Sequence, residues 1–194
     1  GETISMGIGQ GALNVTPLQQ AYFAAEIAER GQIIATPRLV AAIRNPGSNA
    51  VVARSTIFKK PINIATSEQW DVVYDGMVGA VSPGGTAYAS GLNARYKFAG
   101  KTGTAQVIAI KQNEKYHEKD VDERQRDHSW FIAYAPADDP KIAVSVLVEN
   151  GGFGAQVAAP IARKILDAYL LPDKATLPDK AALPDKAPLP EKHL

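Results

Sequence analysis

The chain predicts an α/β (α+β) fold, an antiparallel sheet flanked by helices. Extended runs at residues 96–110, 129–135 and 142–148 follow one another and are rich in β-branched and aromatic residues. The last two are separated by the turn sequence Ala137-Asp138-Asp139-Pro140, so they form an antiparallel hairpin. Apolar residues at helical spacing precede and follow the three runs, which packs helices on the sheet.

Length and composition bound the rest. At 194 residues the expectation is one domain. Hydrophobic residues make up 45% of the chain, enough for a core and too many for a disordered protein. A net charge of +1 argues against a nucleic-acid partner, which calls for a basic face. With no cysteine there are no disulfides and no thiolate metal sites, a composition that fits any compartment. No apolar run reaches the length of a membrane span. The chain starts Gly1-Glu2-Thr3, with neither a methionine nor a signal peptide, and reads as an internal piece of a longer protein.

Taken in order, Ile4 to Leu13 is punctuated by glycine and reads as short turns. Thr16 is a good N-cap with Pro17 at the first helical position. Leu18, Ala21, Tyr22, Ala25 and Ala28 then share a helical face, and Gly31 stops the helix. Ile33-Ile34, Leu39 to Ile43 and Val51-Val52 are short extended pieces. Asn45-Pro46-Gly47 turns between the last two, predicting a small hairpin at the rim. Thr66 opens a second helix, with Gln69 completing a capping box. Trp70, Val73, Tyr74, Met77, Val78 and Val81 form its core stripe. Ser82-Pro83-Gly84-Gly85-Thr86-Ala87 holds a glycine pair before a threonine that could cradle an anion, but it reads rather as a plain turn. Ala158, Ile161, Ala162, Ile165, Leu166 and Tyr169 mark a closing amphipathic helix, with Pro160 in its first turns.

Two stretches depart from this pattern. Lys111 to His128 mixes basic and acidic residues without an apolar stripe, which predicts a solvated loop or short exposed helix. His117 and His128 match no compact zinc spacing and read as solvated histidines. A connection of this length is expected to be functional or mobile, here overhanging the cleft beside Lys101. From Leu171 a six-residue Leu-Pro-Asp-Lys unit recurs nearly four times. A proline in each unit prevents a helix, so 172–194 is expected to be a disordered repeat tail. It reads as a spacer, with a protein-binding tail as the alternative.

The chemistry concentrates in Gly100-Lys101-Thr102-Gly103-Thr104-Ala105, the first half of the run 96–110. Glycine weakens a strand unless a ligand or another backbone must come close. Thr102 and Thr104 are two apart and point to one face, where their hydroxyls can donate to a carboxylate. Lys101 adds positive charge, and Gly103 leaves room for an extended peptide to pair with the strand. The plainer alternative is an edge strand blunted by a lysine and a glycine.

Lys101-Thr102-Gly103, within Ala99-Gly100-Lys101-Thr102-Gly103-Thr104-Ala105-Gln106, resembles the class B penicillin-binding proteins, and their elongation-type members most. Met6-Gly7-Ile8-Gly9-Gln10-Gly11 with Thr16-Pro17-Leu18-Gln19, Arg126-Asp127-His128 with Trp130 to Pro136, and Val148 to Gly152 agree with that family. The resemblance spans residues 1–171. It implies the C-terminal part of a serine β-lactamase-like transpeptidase domain, whose five-stranded sheet would take its last three strands from this chain.

The resemblance further implies a peptidoglycan D,D-transpeptidase. Such an enzyme forms a serine acyl-enzyme on stem peptides and is trapped by β-lactams. Lys101 and Thr104 would be catalytic. Thr102, Gly103, Thr104 and Ala105 would bind substrate, and His128, Trp130 and Phe153 would shape the pocket wall. The Thr104 N–H would supply half of an oxyanion hole. No metal or other cofactor is implied.

The family's nucleophile motif Ser-x-x-Lys and its Ser-x-Asn are absent from this sequence, so both are expected upstream of Gly1. A membrane anchor is expected there too, placing the protein on the outer face of the cytoplasmic membrane beside cell-wall elongation proteins. A non-catalytic peptide- or glycan-binding module, or an inactive remnant with poor stability of its own, remains open.

Overall fold

The computed structural model describes residues 2–11, 13–32, 34–48, 50–108 and 121–171. The charged stretch 111–120, including His117, and the repeat tail 172–194 lie outside the described residues. A short helix α1 (Glu2–Gly7) opens the chain where only turns were expected. Helix α2 (Pro17–Ala28) follows, then the hairpin β1 (Ala42–Arg44) and β2 (Val51–Ala53). Helix α3 (Ser67–Ala80) and a single turn α4 (Tyr88–Gly91) lead into β3 (Ala99–Ala105). Strands β4 (His128–Ala135) and β5 (Ile142–Val148) and helix α5 (Ala158–Leu170) complete the order.

Local chemistry sets the helix starts as the sequence predicts. Thr16 and Thr66 each accept a hydrogen bond from the backbone of a glutamine three residues on, and each glutamine side chain accepts one back. Gly31, at φ +72°, ends the first of these helices.

The three-stranded sheet runs β3-β4-β5, antiparallel throughout. Strand β3 is shorter than the predicted run 96–110. Its last residue, Ala105, pairs with His128, the first residue of β4. Beyond that pair β3 has no partner, and the Val107 N–H instead donates to the Asp127 carboxylate (3.4 Å). The apolar Gln106–Ile108 segment is therefore outside the strand, and the polar half of the run is the strand itself.

The sheet is covered on both faces. One face carries Phe131, Ala133, Val144 and Val146 against Ala158, Ala159, Ala162 and Leu166 of α5. The other carries Ala99 and Tyr134 against Ile27 of α2 and Met77 of α3. The helix faces differ in detail from the predicted stripes. Ala24 and Ile27 are the buried residues of α2, and Leu18 is exposed. Val73 of α3 is exposed, as are Ile161, Ile165 and Tyr169 of α5. In α5 the close-packed positions are mainly alanines, which bring the helix backbone near the sheet.

Candidate functional site

Strand β3 is an edge of the sheet, so half of its backbone groups face away from β4. Two contacts identify which half. The Gln10 side-chain amide donates to the Thr104 carbonyl (2.9 Å), and the Lys101 ammonium donates to the Thr102 carbonyl (2.7 Å). Neither donor is a backbone amide of β4. In an antiparallel pair a residue's N–H and C=O point the same way, so Thr102 and Thr104 direct both groups to the open edge.

The side chains add to that edge. Thr102 and Thr104 share a face with Phe131 and Ser129, their register partners on β4. Lys101 starts on the other face, but its flexible stem carries the ammonium to the edge, where it meets the Thr102 carbonyl. An exposed cation, two hydroxyls and the outward Thr104 N–H thus line one strip of backbone. That strip can hold a carboxylate, pair with an extended peptide, and donate to a developing oxyanion.

Glycine is required at the centre for a reason internal to the sheet. A Cβ on Gly103 would lie 3.0 Å from the Trp130 Cβ. The corner after β5 packs on the same spot, since a Cβ on Gly154 would sit 2.2 Å from the Trp130 carbonyl oxygen and 2.6 Å from that of Gly103. Gly154 therefore lies directly on the β3–β4 ladder.

The other predicted site residues take various positions. Ala105 is half-buried at the end of β3, opposite His128. His128 is half-buried rather than solvated, and its Nδ1 accepts the Asn150 N–H (2.9 Å), tying β4 to the corner. Trp130 is half-buried beneath Gly154, whereas Phe153 beside it is 54% exposed.

Two residues at the edge were not singled out by sequence. Thr86 was read as part of a plain turn, yet its hydroxyl lies 3.4 Å from that of Thr102. That turn packs closely on α3, because a Cβ on Gly85 would fall 2.1 Å from the Gly79 carbonyl. Gln10 was read within a glycine-rich stretch that agrees with the resembled family, without a role of its own. Its contact with β3 spans 94 residues, a separation no local pattern reveals.

Several shifted ionisations cluster around the start of β3. Burial, with Tyr74 nearby, pushes the Tyr134 phenol up to about 12. Burial and the neighbouring Asp167 carboxylate raise Tyr96. Burial opposes ionisation of Asp167, but hydrogen bonds from Arg163 and Tyr96 outweigh it and hold the carboxyl below its usual value. Arg163 also donates to the carbonyls of Ser90, Leu92 and Asn93, joining α5 to the loop that leads into β3. Among the described residues, no group of three or more histidines and carboxylates is placed to hold a metal ion.

Comparison with known proteins shows the family and the fold. Residues 1–167 match the family described as penicillin binding protein transpeptidase domain. A relative from Haemophilus influenzae, peptidoglycan D,D-transpeptidase MrdA, is 41% identical over 171 residues, covering 88% of this chain and 26% of its own. The chain thus spans about a quarter of the length of that relative. The crystal structure of Pseudomonas aeruginosa PBP2 in complex with WCK 5153 aligns with TM-score 0.67 and 34% identity, over 94% of this chain and 36% of that one. Penicillin-binding protein A from M. tuberculosis, solved as an imipenem acyl-enzyme, aligns with TM-score 0.66 and 33% identity, over 86% of this chain and 33% of that one.

Proposed function

The chain belongs to the penicillin binding protein transpeptidase domain family, and from that premise we propose that it forms the C-terminal part of a peptidoglycan D,D-transpeptidase domain ending near Leu171. The serine nucleophile belongs to the parent protein outside this sequence. It attacks the penultimate D-Ala carbonyl of a stem peptide, D-Ala leaves, and the acyl group passes to an amine of a neighbouring strand. β-Lactams stop at the acyl stage.

The observation that supports this reading is the open edge of β3. The Lys101 ammonium, 2.7 Å from the Thr102 carbonyl, lies where it tunes proton transfers of a serine brought to that edge. The Thr102 and Thr104 hydroxyls receive the substrate's terminal carboxylate, with the Thr86 hydroxyl beside them. The Thr104 N–H stabilises the oxyanion, Ala105 continues the strand that the substrate pairs with, and Gly103 keeps the ladder flat beneath it. His128, Trp130 and Phe153 border the site from the β4 side. The elongation-type resemblance supports cell-wall elongation proteins as partners and a membrane-anchored parent facing the periplasm. Among the described residues no helix is long and apolar enough to cross a membrane.

Labelling of the intact parent protein with a fluorescent penicillin tests the reading. Covalent labelling that Thr104→Ala slows about ten- to a hundredfold is expected, the effect of losing a hydrogen bond to a charged carboxylate. Saturable binding without covalent labelling would instead make this a non-catalytic binding module.

A further inference from the structure

Thr104 is the penultimate residue of β3, and among the described residues the strand loses its only partner one residue later. A strand end held from one side is where a sheet opens most readily. Yet an oxyanion donor is effective only when its direction is fixed before the reaction. Something outside the sheet has to hold this end.

Gln10 meets that need. Its backbone N–H donates to the Ser5 carbonyl (2.9 Å), and that of Gly9 donates to the Met6 carbonyl (3.0 Å), so the loop is fastened to α1. Gly9 and Gly11 both have φ +75°, a left-handed backbone that places a reversal on each side of Gln10. From this base the half-buried side chain reaches the outward Thr104 carbonyl at 2.9 Å. That carbonyl keeps a second lone pair for an incoming ligand N–H. The same residue's N–H points to the same edge, so fixing the carbonyl restrains the direction of the N–H.

We infer that Gln10 is a positioning residue: its side-chain amide clamps the end of β3 so that the Thr104 N–H is aimed at the reacting carbonyl before substrate arrives. The inference rests on the transpeptidase reading above. It assigns Gln10 no contact with substrate, and it separates the two stages of penicillin capture. First-stage binding depends on the threonine hydroxyls that receive the carboxylate. The acylation step depends on the oxyanion donor, and therefore on Gln10.

The test is stopped-flow acylation of the intact parent protein by a chromogenic penicillin, resolving the dissociation constant of the first complex from the acylation rate constant. Gln10→Ala is expected to lower the acylation constant about tenfold, with first-stage binding within twofold and an unchanged melting temperature. Gln10→Glu keeps the shape but loses the donor when ionised. Relative to the parent at each pH, its acylation should recover as the pH falls toward about 4.3 and the carboxyl regains a proton, whereas Gln10→Ala should show no recovery. Unchanged acylation constants in both variants would overturn the inference. So would a loss confined to first-stage binding, or a melting loss with normal acylation by the folded fraction. A parent protein that penicillin never acylates would overturn the transpeptidase reading and this inference together.

Discussion

The two faces of the sheet are built differently. The face toward α5 is closed, with Phe131, Ala133, Ala158, Ala159, Ala162 and Leu166 each fully buried. Small residues on α5 let the helix sit close, and the large side chains come from the strands. The face toward α2 and α3 is looser. Its contacts run through Ile27, Met77 and Tyr134, while Leu18, Phe23, Val72 and Val73 of the same helices point outward. The contrast locates the stability of this chain on the α5 side. That side also carries the middle of β3, where Thr102 faces its register partner Phe131 of the closed face, while the end at Thr104 relies on the Gln10 contact as well. Ser129 is fully buried, and its hydroxyl accepts the Ala158 N–H at the start of α5 (3.1 Å).

The contrast can be broken by paired substitutions, read by chemical denaturation of the protein. Phe131→Ala is expected to cost roughly 3–5 kcal/mol, because the ring fills a space that the surrounding alanines cannot close. Ile27→Ala, on the looser face, should cost about 2 kcal/mol, the low end for such a truncation. Equal losses would erase the difference between the faces.

A smaller effect, about 1–3 kcal/mol, is expected for Gly154→Ala, since the new methyl meets two backbone carbonyls that cannot turn aside. That variant should also slow penicillin acylation of the parent protein. Loss of stability with normal acylation would separate the corner from the site.

Asp167 sharpens the contrast through pH. Its folded-state pKa lies below the unfolded value, so its stabilising contribution is full above about pH 4 and fades as the pH falls through the folded pKa. Asp167→Asn should therefore lower the denaturation midpoint at pH 6 by more than it does in acid, the difference shrinking as the pH falls below about 4. A pH-independent difference would deny Asp167 its ionic role. The smallest effect is expected at the rim, where Val52, 65% exposed on β2, should tolerate replacement by threonine within about 0.5 kcal/mol.

What could be read from the sequence follows from the range of the interactions. The Thr16 N-cap, the Thr66 capping box, the β4–β5 hairpin and the closing helix rest on residues a few positions apart, and all were legible. The chemistry proposed for Lys101 to Thr104 could also be framed from the sequence, because four adjacent residues carry it. The limits of β3 were not legible, since it stops where β4 begins to supply partners, and that boundary lies in another part of the chain. The deep face of α2 was misplaced, and the stripe of α5 took in the exposed Ile161, Ile165 and Tyr169 and left out Ala159. An alanine at a close helix–sheet contact gives little hydrophobic signal, whereas an exposed Ile161 or Leu18 gives a strong one. Thr86 and Gln10 reach the site only through tertiary contacts, and glycines around them read as turns.

The Arg163 staple has a consequence for how the molecule is made. A ribosome releases β3 long before it adds Arg163, so the strand bearing Lys101 and Thr104 emerges without the clamp that fixes its entry loop. The order of synthesis thus makes the last helix the finishing step. Chain termination before Arg163 would leave every residue of the β3 edge present and the approach to it unfastened.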